Sequence, residues 1–115
     1  MDSLGKQGEE LAIRHLKALG YKILDRNYRC FLGEIDIVAK DKTALIFVEV
    51  KTRKSDSDVE PFESIGAKKQ AKLRELAEYY LQDKDISDSE IRFDVLSIVS
   101  DDKENRIEHI RNAFE

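Results

Sequence analysis

The chain has 115 residues (13.3 kDa), of which 41% are apolar and 38% charged, with a net charge of −4. That length suits one domain around one core, and no stretch approaches the roughly 20 apolar residues of a membrane-spanning helix. A single cysteine, Cys30, rules out an intrachain disulfide and reads as a small buried residue, while the opening MDSLGKQGEE carries no apolar export signal and predicts a cytoplasmic protein.

In chain order, Ser3 is the predicted N-cap of a first helix. Leu4, Gly8, Leu11, Ala12, Leu16 and Leu19 recur through it at helical spacing, and Gly20 closes it. Gly5, Gly8 and Ala12 are small residues three or four apart, which would let that helix lie close to a sheet. Residues 21–29 (YKILDRNYR) read as a strand at or near a sheet edge, given their charges. Residues 34–39 (EIDIVA) and 44–52 (ALIFVEVKT) read as two strong strands, and the short KDKT between them predicts a hairpin. Residues 54–64 are polar, contain the only proline and predict a loop. A second helix is expected over 65–82, with Leu73, Leu76, Ala77, Tyr80 and Leu81 on one face. After an acidic linker (83–90), residues 91–100 (IRFDVLSIVS) form another strand, and 106–114 a final strand or extended tail. The order predicts an α/β fold with a mixed β-sheet flanked by helices. The hairpin makes its pair antiparallel, and the helix before the fourth strand permits a parallel, right-handed crossover.

The negative net charge argues mildly against nucleic-acid binding, but its distribution qualifies that reading. Residues 1–75 hold 15 Lys/Arg against 13 Asp/Glu, whereas residues 76–115 hold 5 against 11. Basic residues bunch in KTRK (51–54) and KKQAKLR (68–74), where the local field could suit a polyanion, although charge alone favours solvated loop and helix faces.

Within this frame one hairpin carries chemistry. Residues 44–50 are almost continuously apolar, as in a strand buried on both faces, yet Glu49 interrupts them. Residues two apart on a strand share a face, so Glu49 and Lys51 point the same way. Pairing Ala39 with Ala44, or Asp41 with Ala44, sets Asp36 beside Glu49 on that face as a diagonal or direct neighbour. Two adjacent carboxylates repel unless a cation or proton lies between them. Their oxygens suit Mg²⁺, with Mn²⁺ as an alternative. Such an ion polarises a phosphoryl oxygen and activates water, and Lys51 would stabilise the charge developing on phosphorus.

Asp36 followed thirteen residues later by Glu49-Val50-Lys51 resembles the PD-(D/E)xK pattern of restriction-endonuclease-like proteins, with Ile35 where the pattern has proline. More narrowly, GKQGEELA, ILDRNYR, GEIDIVAKD, FVEVKTR, AKKQAKL, RFDVLSI and HIRNAF resemble the YraN-type bacterial family, which is similar to Holliday-junction resolvases. The resemblance covers nearly the whole chain. It implies a restriction-endonuclease-like core in the order αβββαβ, with Asp36 and Glu49 as metal ligands and Lys51 as the catalytic lysine. It adds Glu9 as a further acidic site residue, although spacing alone puts Glu9 at the border of the apolar helix face, where a solvated carboxylate fits equally.

Gln70 shares helical spacing with Leu73, Ala77 and Tyr80. It is either a hydrogen-bonded helix-border residue or, as the resemblance suggests, a contact to the site. Lys68, Lys69, Lys72 and Arg74 are candidate phosphate contacts, and Arg53 and Lys54 are better ones by position. Glu34 shares the Asp36 face, as a site member or a flanking residue. Asp94, inside an apolar strand, reads as a structural acid paired with Arg92 or another basic neighbour. His15 and His109 stand alone in the sequence, which argues against zinc. Tyr79 and Tyr80 are expected to divide between surface and core.

The expectation is a metal-dependent endonuclease acting on branched or structured DNA, with the Val50 carbonyl as a further ligand and a homodimer where two symmetric cuts are needed. The alternatives are a non-catalytic nucleic-acid-binding module of the same fold, or a protein-interaction domain suited to the acidic second half.

Overall fold

A computed structural model describes residues 4–54, 65–100 and 104–115. The predicted cap Ser3 and residues 55–64 of the predicted loop lie outside them. The elements are α1 (Leu4–Ala18), β1 (Lys22–Cys30), β2 (Gly33–Asp41), β3 (Ala44–Lys54), α2 (Ala67–Asp83), β4 (Glu90–Ser100) and β5 (Asn105–Phe114). The strands form one sheet in the order β1-β2-β3-β4-β5. Only β3 and β4 pair in parallel, so the sheet is mixed, as expected from the intervening helix. The charged β1 is indeed an edge strand, and the C-terminal segment is a strand pairing with β4.

Alternation along β3 sorts its side chains between two cores. Leu45 and Phe47 pack with Leu73, Leu76, Ala77 and Tyr80 of α2, together with Phe93 and Val95 of β4. Ile46 and Val48 pack with Ala12, Ile13 and Leu16 of α1, together with Leu96 and Ile98. Each helix therefore covers one face, and each large apolar side chain so buried contributes about 1.5–3 kcal/mol.

Helix α1 ends where glycine predicts. Gly20 has φ +92°, the Gly20 N–H donates to the Lys17 carbonyl and the Tyr21 N–H to that of Leu16. Leu19, expected on the buried face, lies past the last helical residue and is 42% exposed, and Ile13 fills the core instead. Ile65 is buried but precedes α2, because Gly66 is extended at its N-cap. Cys30, expected inside, is half-buried on the edge strand. Tyr80 is buried while Tyr79 is partly exposed, so the pair divides as expected. Among the described residues, no helix is long and apolar enough to cross a membrane.

Candidate metal centre

The β2–β3 ladder runs from Asp41 opposite Ala44 to Ile37 opposite Val48, which is one of the two registers the sequence allows. Strand β3 goes on pairing with β4 as far as Lys54 and Ser100, and β2 with β1 as far as Gly33 and Cys30. The sheet thus forks beyond Ile37 and Val48. Asp36 stands in the fork, and its Oδ2 accepts the Val50 N–H at 2.8 Å, satisfying the β3 amide on that side.

Among the described residues, four carboxyl groups converge there. Glu49 acts on the Asp36 carboxyl from the neighbouring strand, and oxygens of Glu9, Glu34 and Asp36 all lie within 4.8 Å of one another. Glu9 comes from α1, which reaches the fork by close approach to β3. A Cβ built on Gly8 would lie 2.0 Å from Thr52 Oγ1, so only glycine permits this packing. The Asp36 carboxyl is pushed up to about 8. Burial is the main cause, followed by the close approach of the Glu49 carboxyl and the negative charges of Glu49 and Glu9; the Val50 amide opposes them. Carboxyls gathered this closely repel one another, and a proton or a cation between them would relieve that repulsion. An all-oxygen donor set of this kind fits Mg²⁺ or Mn²⁺ and gives no preference for softer metals.

Lys69, at the start of α2, pairs with Glu49 Oε2 at 3.2 Å, with the Glu49 side chain only 12% exposed. Lys51 is half-buried two residues further along β3. Gln70 turns back onto the chain that leads into its helix: its Nε2 donates to the Ile65 carbonyl at 2.7 Å. Of the other predicted phosphate contacts, Lys72 pairs with Glu75 and Arg74 donates to the Glu115 carbonyl. The Lys54 side chain lies outside the described residues. Glu34, undecided in the sequence, belongs to the acidic group, and Arg29 flanks it at 3.3 Å.

A second cluster lies away from the fork. Asp94 is 1% exposed and accepts two hydrogen bonds from Arg92 (2.8 and 2.9 Å) and one from the Asn112 N–H (3.0 Å). His109 Nε2 lies 2.8 Å from the Asp94 carboxylate, and His109 Nδ1 is 3.1 Å from His15 Nε2. The structural reading of Asp94 therefore holds. The histidines are not isolated: 94 residues apart, they meet across α1 and β5, a contact no local spacing announces.

The family profile described as "Uncharacterised protein family UPF0102" matches residues 8–98, a span that contains all four clustered acids, Lys51 and Lys69. Among curated relatives, a "UPF0102 protein" of Desulfosudis oleivorans is 49% identical over 96% of this chain and 89% of its own length. Relatives of the same description are 44% identical in Persephonella marina (96% and 92%) and 45% identical in an Arthrobacter species (97% and 96%).

Proposed function

The chain belongs to the UPF0102 family, the YraN-type family that its motifs resemble, and we propose that the acidic fork is the active site of a metal-dependent endonuclease acting on DNA. The observation that carries this reading is the convergence of Glu9, Glu34 and Asp36, whose oxygens lie within 4.8 Å of one another, with Glu49 acting on Asp36 beside them. Acids held this close are costly unless their shared charge serves a cation.

Asp36, Glu49 and Glu9, with the Val50 carbonyl, would hold Mg²⁺ or Mn²⁺, which when bound supplies Lewis acidity toward a phosphoryl oxygen and a more acidic water. Lys51, on the same strand face as Glu49, donates to the scissile phosphate and stabilises the charge that grows on it. The Val50 N–H fixes the Asp36 carboxylate, leaving its other oxygen for the ion. Lys69 orients Glu49 and offsets excess negative charge as a polyanion approaches. Gln70 is a positioning residue: by holding the Ile65 carbonyl it secures the turn that presents Lys69.

We assign branched or structured DNA in the cytoplasm as the substrate, and a homodimer as the cutting unit, since two symmetric incisions need two sites. The test incubates purified protein with duplex, single-stranded and four-way-junction DNA in Mg²⁺ or Mn²⁺. Cleavage should be lost with chelator, and should fall by about 10² or more in Asp36→Ala and Lys51→Ala. Identical behaviour of wild type and both variants would sink the enzymatic reading.

A further inference from the structure

Beyond Lys51 the same sheet face carries a cavity of about 220 Å³ whose lining includes Arg53, Ser97, Val99, Arg106 and Glu108. The register explains why these residues meet. Arg53 of β3 lies opposite Val99 of β4, which lies opposite Arg106 of β5; one step back, Lys51 lies opposite Ser97, and Ser97 opposite Glu108. Two arginines on strands separated by one intervening strand, about 10 Å apart at the backbone, thus line one cavity on either side of Val99. Arg106 is exposed, but the Arg53 Nη1 atom is buried and has no hydrogen-bond partner among the described residues. A guanidinium edge held out of water in this way is costly unless an anion completes it.

We propose that Arg53 and Arg106 form a phosphate subsite that grips the DNA backbone next to the scissile phosphate; this rests on the nuclease reading of the fork. Arg53 lies two residues from Lys51, about 7 Å along the strand, on the scale of one nucleotide step. A guanidinium presents a planar fork that matches a phosphodiester's two free oxygens. Contacts of this kind position the strand without reading its sequence. Glu108 faces the same cavity and repels the phosphate, which keeps the subsite's hold moderate and the product releasable.

The experiment measures binding of fluorescently labelled duplex and four-way-junction DNA to the full chain, in chelator, across a range of salt concentrations. The variants are Arg53→Gln, Arg106→Gln and Glu108→Gln, each first shown to melt like wild type. Either arginine variant should bind about tenfold more weakly, with a salt dependence shallower by about one contact, equally for both DNAs. Glu108→Gln should bind more tightly. Should Arg53→Gln fail to fold, the exposed Arg106→Gln carries the test alone. Wild-type affinity and salt slope in Arg106→Gln would overturn the subsite while leaving the acidic fork untouched. Wild-type protein that binds neither DNA would overturn both readings.

Discussion

Asp36 is a carboxyl whose proton is held more tightly in the folded chain than in the unfolded one. With its titration pushed up to about 8, chiefly by burial and then by Glu49, its contribution to stability is greatest below about pH 4 and declines as pH rises toward 8. Asp36→Asn, which carries no charge at any pH, should therefore melt higher than wild type at pH 8 in chelator. The difference between the two proteins should vanish near pH 4. Millimolar Mg²⁺ should raise the wild-type melting temperature at pH 8 and raise that of the variant much less. Parallel stability curves, with or without the ion, would remove the basis for the cation site. At this scale, Asp36, Glu49 and Lys51 were legible because strand parity is local. Sequence offers Lys69 only as a phosphate contact, because its pairing with Glu49 depends on how α2 lands on the sheet.

Helix α1 is positioned by one small residue. Sequence spacing singles out Gly5, Gly8 and Ala12, but a side chain at Gly5 would meet nothing within 4 Å, whereas one at Gly8 would strike Thr52 of β3. Gly8→Ala is expected to cost about 1–3 kcal/mol in urea denaturation. It should also weaken Mn²⁺ binding, because Glu9 follows immediately and moves with the helix. Adding Thr52→Ala should recover part of both losses; a Gly8→Ala variant of unchanged stability would show that the helix seats elsewhere. Helix α2 teaches a related point. Periodicity points Gln70 inward, yet the helix begins at Ala67, so Gln70 lies in the first turn and bonds the chain that leads into it.

Across the whole molecule, the Asp94 cluster joins elements that are far apart in the chain: β4 supplies Asp94 and Arg92, β5 supplies His109 and the Asn112 amide, and α1 supplies His15. Tyr21 accepts from Arg92 at 2.8 Å and ties in the segment before β1. Burial alone would raise the Asp94 titration, but the bonds from His109, Arg92 and Asn112 outweigh it and hold it at about 2. A depressed carboxyl stabilises the fold above its ordinary range and loses that contribution as pH falls toward 2. Asp94→Ala should cost about 3–5 kcal/mol, because it strands Arg92 beside a buried gap. Asp94→Asn should shift the acid-unfolding limb to higher pH; an unchanged limb would mean that another acid governs it.

The sequence by itself determined the element order, the mixed sheet, the family and the Asp–Glu–Lys strand pair, since each depends on local periodicity or on a contiguous motif. It left the final strand undecided, because β5 becomes a strand only by pairing with β4. Only the tertiary structure decided that the sheet forks at Asp36, that Glu9 and Glu34 join it, and that Arg106, from the acidic end of the chain, stands in line with Arg53. Those juxtapositions arise from strand register and helix seating across long sequence separations. No local pattern encodes a contact whose partners are brought together only by the closed core.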